Sequence, residues 1–328
     1  MALPKVSVLS LGGTISSVNT GGPGVRPSLT GEALVEAVPG LSEVAEVSAA
    51  SVRQVPGWQL TVEDLIEVSE EATRAIDRGA TGVVVTQGTD SIEETAFALD
   101  LLIDRDAPVV VTGAMRNPTL PGADGPANLL AAVTVAADGA ACGLGALVVM
   151  NDEVHAARFV RKTHTQSPAA FRSPLAGPLG WISEGRASIA ARPVGRRHIR
   201  PRGEGAGDVA LLATFPGDDG RLVGAVGERG YSGIVVEALG GGHVPPPMVE
   251  PLATLAERMP VVLASRTGSG EVLRGTYDPP GSEIDLAGRG LIPAGMLDGP
   301  KARLFLALLL RSGASRAEIV EALGHPYV

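Results

Sequence analysis

The run Gly82-Val83-Val84-Val85-Thr86 shows no polar alternation, and this constrains the fold more than any other feature of the chain. A half-exposed strand alternates apolar with polar residues. A strand apolar at every position is covered on both faces, as in a parallel sheet. Val6–Leu11, Pro108–Gly113 and Leu144–Met150 read as further strands, with helical segments between them. Glu32–Val38 is a short helix closed by Pro39-Gly40. Thr61–Arg78 takes Thr61 as its N-cap, shows an apolar face at Val62, Leu65, Ile66, Ala72 and Ile76, and ends at Gly79. A Ser91…Glu94 capping box opens a helix that runs to about Asp104, and Asp124–Asp138 carries Pro126 in its first turn. Strand and helix in alternation predict an α/β fold built on a doubly wound parallel sheet.

The chain is 328 residues long, enough for two cores. The pattern breaks at 191–208, a stretch rich in Pro, Gly and Arg. It reads as an interdomain linker whose arginines are either an anion site or a solvated charge run. Alternation resumes at Val209–Ala213, Gly233–Glu237 and Val261–Ser265. Helices follow at Pro300–Gly313 and Ser315–Leu323, the second opened by a Ser315…Glu318 box. The expectation is a larger catalytic α/β domain at 1–190, the linker, and a smaller C-terminal α/β domain at 209–328.

The net charge of −9 argues against a nucleic-acid partner. Cys142 is the single cysteine, and the five histidines show no ligand spacing, so neither a disulfide nor a metal site is expected. No apolar run reaches the ~20 residues of a membrane helix, and Val6–Leu11 leads into a turn rather than forming a signal-peptide core. A cytoplasmic location is the expectation, with no cofactor and no membrane partner.

Two turns carry the chemistry. Leu11-Gly12-Gly13-Thr14-Ile15 follows the first strand and Gln87-Gly88-Thr89-Asp90 a later one. Both lie at the C-terminal strand edge, where ligands bind in open α/β sheets. A threonine hydroxyl attacks a carbonyl only with a base beside it and donors for the oxyanion. Glycines 12 and 13 permit a tight turn and close approach of a substrate to the backbone. Thr89 and Asp90 stand at the mouth of a helix, where free N–H groups favour an anion. Each turn alone also suits a purely geometric role, and Asp90 alone suits a helix cap.

Together these segments resemble the bacterial-type L-asparaginases, the asparaginase/glutaminase amidohydrolases. Leu9-Ser10-Leu11-Gly12-Gly13-Thr14-Ile15 is similar to one family signature, and Val85–Ala96 to the second. Supporting blocks are Gly113–Arg116, Ala123–Pro126, Val148–Asp152 and Lys301–Arg303, so the likeness spans nearly the whole chain. The resemblance implies that Thr14 attacks the side-chain amide carbon of L-asparagine, forming an acyl-enzyme and releasing ammonia. It implies a second triad of Thr89, Lys162 and Asp90, with Asp90 also holding the substrate ammonium. To act as a base, Lys162 must shed its proton. Glu283 matches a glutamate that reaches the neighbouring subunit's site, so a homodimer or homotetramer is implied. Substrate contacts fall to Gly13, Gly57, Trp58, Gln59, Gly88, Ala114 and His243.

The chain departs from the family in three places. The loop from Ser16 to Thr30 lacks the family's tyrosine and has Gly24-Val25-Arg26 there. Loss of a positioned acid/base group lowers a rate on the order of 10²–10⁴, and Tyr277, six residues before Glu283, is a candidate replacement. Gly57 stands where the family has a substrate-gripping serine, which removes a hydroxyl. Gln59 is displaced by one place, and Trp58 either stacks on a larger substrate or packs under the next helix. His243 stands where the family often has asparagines, and serves either their role or only the turn.

The leading expectation is an L-asparagine amidohydrolase. A related amidase acting on D-asparagine, L-glutamine or a larger amide is the alternative. A ligand-binding protein that has lost turnover is another.

Overall fold

The computed structural model describes residues 2–18, 24–202 and 207–324. Residues 203–206 of the expected linker, 19–23 of the loop after the first turn, and His325 and Tyr327 lie outside the described residues. The chain divides into two compact units, Met1–His198 and Ile199–Val328.

The first unit holds an eight-stranded sheet. Its order is Glu46–Ser51, Lys5–Ser10, Gly82–Thr86, Val109–Thr112, Ala146–Met150, Glu153–Ala156, Gly180–Ser183 and Arg186–Ile189. The first five strands run parallel, as the unalternating runs predict. The last three extend the sheet antiparallel. Asn151 and Asp152 make the reversal possible, with φ of 52° and 60°. Two consecutive positive φ values match the twist of a two-residue hairpin, and Asn and Asp tolerate them better than most residues do.

Packing explains the runs. Val84, Val110 and Leu147 face one helical layer with Leu129, Ala132 and Val133. Val83, Val85, Val111 and Val148 face the other, with Val68, Ala72 and Leu99. Every position on these strands is therefore buried. Thr61 caps the Val62–Asp77 helix in a reciprocal box with Asp64. The Ser91…Glu94 box does not form: Ser91 Oγ donates instead to the Gly57 carbonyl at 2.9 Å. That bond joins two loops of the site, which takes precedence over local capping.

Of the arginines near the expected linker, Arg192 donates to the carbonyls of Ala140 and Cys142, and Arg196 to those of Ile103 and Arg105. Arg196 also pairs with the Asp100 carboxylate, its Nε 3.6 Å from Oδ1, so both arginines are engaged by groups of the protein itself. The second unit has a four-stranded parallel sheet in the order Val209–Ala213, Gly233–Ala238, Val261–Ser265 and Ile292–Pro293. The Arg316–Gly324 helix begins with the expected Ser315–Glu318 box. Among the described residues, no helix is long and apolar enough to cross a membrane.

Candidate active site

Register brings the two turns to one level. Ser10 pairs with Thr86, and Thr86 with Thr112, so three neighbouring strands end together at the C-terminal edge. The first turn leaves this edge through Gly12 and Gly13, with φ of 101° and 82°, which only glycine adopts without strain. The Gly13 carbonyl then accepts hydrogen bonds from Ser16 Oγ (3.0 Å), Ser17 Oγ (2.7 Å) and the Ser16 N–H (3.1 Å). Three donors on one carbonyl lock the short turn that begins with Thr14.

The turns also meet backbone to backbone. A Cβ on Gly13 would fall on the Gly88 nitrogen, and one on Gly88 would lie 2.7 Å from the Gly57 nitrogen. At Gly57 a Cβ would sit 2.8 Å from the Gly88 carbonyl oxygen and 3.1 Å from Ser91 Oγ. Gly57 thus has a packing role that its missing hydroxyl does not reveal.

Lys162 crosses to the second turn. Its Nζ donates to Thr89 Oγ1 at 2.9 Å and to Asp90 Oδ1 at 2.6 Å. Its side chain is 15 % exposed, whereas that of Asp90 is largely open. The lysine backbone is tethered as well, its N–H donating to Glu93 Oε2 at 3.0 Å. Thr14, Thr89, Asp90 and Lys162 line one cavity of about 570 Å³, together with Gly13, Gly57, Trp58 and Gly88. That volume lies within the usual ~300–1,000 Å³ of small-molecule sites.

Other expected contacts fall differently. Trp58 is 73 % exposed at the cavity and is not packed under the helix that follows. Gln59 is exposed and does not line the cavity; Gln54 does. The Ala114 side chain belongs to the core at 1 % exposure, and its neighbour Met115 lines the cavity instead. Met115 is held by Asp124, whose carboxylate accepts the N–H groups of Met115 (3.0 Å) and Arg116 (2.8 Å). Asn128 donates to the same Asp124 and to the Gly113 carbonyl, and accepts the Asn151 N–H. The supporting sequence blocks at 113–116, 123–126 and 151 are therefore one polar scaffold under the site.

Glu283, His243 and Tyr277 form a cluster in the second unit. The Glu283 carboxylate is only 2 % exposed. Oε1 accepts the N–H groups of Thr276 and Tyr277, each at 2.7 Å, and Oε2 lies 3.0 Å from His243 Nε2. Burial pushes this carboxyl up, but the Tyr277 and Thr276 N–H groups and the His243 ring outweigh it and hold it below the usual range. An ionised carboxylate only accepts, so His243 carries its proton on Nε2. The Tyr277 ring meets His243 edge to face, with centroids 5.2 Å apart, and is half exposed. Within its own unit the glutamate is enclosed, and the tyrosine is the group presented outward. Among the described residues no cluster of His, Cys, Asp or Glu is arranged to hold a metal.

Residues 5–195 match the family model described as Asparaginase, N-terminal, and residues 208–323 match the Glutaminase/Asparaginase C-terminal domain. A probable L-asparaginase of Deinococcus radiodurans is 37 % identical, with 97 % of this chain and 96 % of that protein covered. L-asparaginase 2 of Escherichia coli is 35 % identical, with 94 % and 90 % covered. The crystal structure of a probable cytoplasmic L-asparaginase from Campylobacter jejuni superposes with a TM-score of 0.87 at 30 % identity, covering 98 % of this chain and 99 % of that one.

Proposed function

The chain belongs to the asparaginase family and is an amidohydrolase, and we propose that it hydrolyses the side-chain amide of L-asparagine to L-aspartate and ammonia. The observation that carries this reading is Lys162 Nζ within hydrogen-bond distance of both Thr89 and Asp90, in a cavity shared with Thr14. Thr14 Oγ attacks the amide carbon. Backbone N–H groups of the two turns hold the oxyanion. The Thr14 hydroxyl proton passes to the amide nitrogen, the C–N bond breaks, ammonia leaves, and an ester to Thr14 remains. Water, deprotonated through Thr89 and Lys162, then attacks the ester and frees L-aspartate and the Thr14 hydroxyl. Asp90 holds Lys162 and receives the substrate ammonium.

A homodimer or homotetramer in a cytoplasmic setting belongs to the same proposal. In it, Tyr277 supplies the hydroxyl that the 16–30 loop lacks. Glu283 fixes the turn that carries Tyr277. Exposed Trp58 and the absent hydroxyl at Gly57 favour, as a second reading, an amidase for D-asparagine, L-glutamine or a larger amide. A binding protein without turnover is the third. Ammonia release from L-asparagine, D-asparagine and L-glutamine separates them, with Thr14→Ala and Thr89→Ala as controls. Turnover of L-asparagine lost in both variants supports the first reading. A preference for another amide supports the second, and silence from a folded protein the third.

A further inference from the structure

One charged group in the cavity has no part in this reaction. Lys162 and Asp90 stand 2.6 Å apart and are engaged with each other. Arg26 also lines the cavity and has no hydrogen-bond or ion-pair partner among the described residues. A guanidinium is a planar fork of N–H donors that matches a carboxylate bidentately. Left unpaired beside a cavity, it is a recognition group awaiting an anion.

The backbone fixes where that fork begins. Arg26 pairs with Val18 in a short antiparallel ladder. The N–H groups of Ser28 and Leu29 both donate to the Ser16 carbonyl at 3.0 Å. Ser16 in turn donates its hydroxyl to the Gly13 carbonyl at 3.0 Å. A hydrogen-bonded path thus links the Thr14 turn to the backbone at Arg26, so the root of the fork is held relative to that turn. Gly57, which also lines the cavity, offers no side-chain donor, and Arg26 is a cation free to meet an anionic group.

We propose that Arg26 is a specificity-determining residue that binds the substrate's carboxylate and restricts the cavity to amides bearing one. The inference rests on the amidohydrolase reading above. Its test compares L-asparagine with its α-methyl ester, in which that carboxylate is masked, in wild type, Arg26→Ala and Arg26→Lys. Arg26→Ala should raise KM for L-asparagine about 10–100-fold with kcat nearly unchanged. KM for the ester should be the same in wild type and Arg26→Ala. Arg26→Lys should restore part of the loss, since a point charge replaces the fork. Equal losses on acid and ester, or no loss on the acid, overturn the proposal.

Calorimetric binding of L-aspartate, read in parallel, keeps the two readings apart. Arg26-dependent binding without ammonia release from any amide sinks the hydrolase reading and keeps Arg26. Turnover of L-asparagine with Arg26→Ala unchanged does the reverse. Absence of both binding and turnover sinks both.

Discussion

Gly13 and Gly88 touch backbone to backbone, and a Cβ on Gly13 would fall on the Gly88 nitrogen. Two strand-end turns that carry a threonine each are thereby brought within one small cavity. Gly57 extends the contact, and the nearest atom a side chain there would meet is the Gly88 carbonyl oxygen, part of the backbone. Gly57→Ser should destabilise the protein by about 1–3 kcal/mol, the usual range for overpacking. It should not improve KM, because the added hydroxyl comes with a displaced Gly88 turn. Urea unfolding and steady-state kinetics check both statements, and a stable, tighter-binding variant would contradict them.

Lys162 is expected to be irreplaceable by charge alone. Lys162→Ala should lower kcat by on the order of 10²–10⁴. Lys162→Arg should do nearly as much damage, because a guanidinium does not give up its proton in a protein. Full rescue by arginine would mean that the group at 2.9 Å from Thr89 acts only as a fixed cation.

Tyr277 carries the proposed replacement for the missing loop tyrosine. Tyr277→Phe keeps the ring against His243 and removes only the hydroxyl. A fall in kcat of about 10²-fold with an unchanged melting temperature is the expected result. Intact turnover would assign Tyr277 to packing alone.

His155 sets a pH limit on stability. It is fully buried, with Nδ1 3.0 Å from Ser173 Oγ and Nε2 3.3 Å from Glu153. Burial lowers its pKa below the ordinary 6.5; Glu153 opposes the shift and Arg172 adds to it. Below pH about 6.5 the unfolded chain binds a proton that the folded state refuses, so stability falls as pH drops through that window and is flat above it. The slope is at most about 1.4 kcal/mol per pH unit. Urea midpoints at several pH values from 7.5 down to 5.5 should show the decline, and His155→Asn should flatten it.

The sequence exposed what depends on burial pattern and missed what depends on close contacts between distant segments. Val83 to Val85 announce a strand covered on both faces, and the helix layers on either side explain why. The Glu46–Ser51 edge strand did not register, because Ser and Ala at mostly open positions give no apolar run. The antiparallel extension turns on the φ of Asn151 and Asp152, which two polar letters only hint at. The four residues Thr14, Thr89, Asp90 and Lys162 were legible from motif matches. Gln54 was not, because no motif contains it; it lines the cavity whereas Gln59, in the 3₁₀ turn at Gly57–Gln59, is exposed. The packing reason for Gly57 was equally hidden, since it lies in a contact with Gly88, far along the chain. The enclosure of Glu283 depends on the N–H groups of Thr276 and Tyr277, and no spacing rule reveals which way a carboxylate turns.

Glu93 accepts the Lys162 backbone N–H from the first turn of the Ile92–Leu102 helix, which itself follows directly on Thr89, Asp90 and Ser91. Threonine, aspartate and lysine are thus all referenced to a single helix end. Heating cannot loosen the spacing between them by degrees while that helix stands. The threonine, the aspartate and the lysine should therefore lose their spacing only when the first unit melts, as one cooperative event.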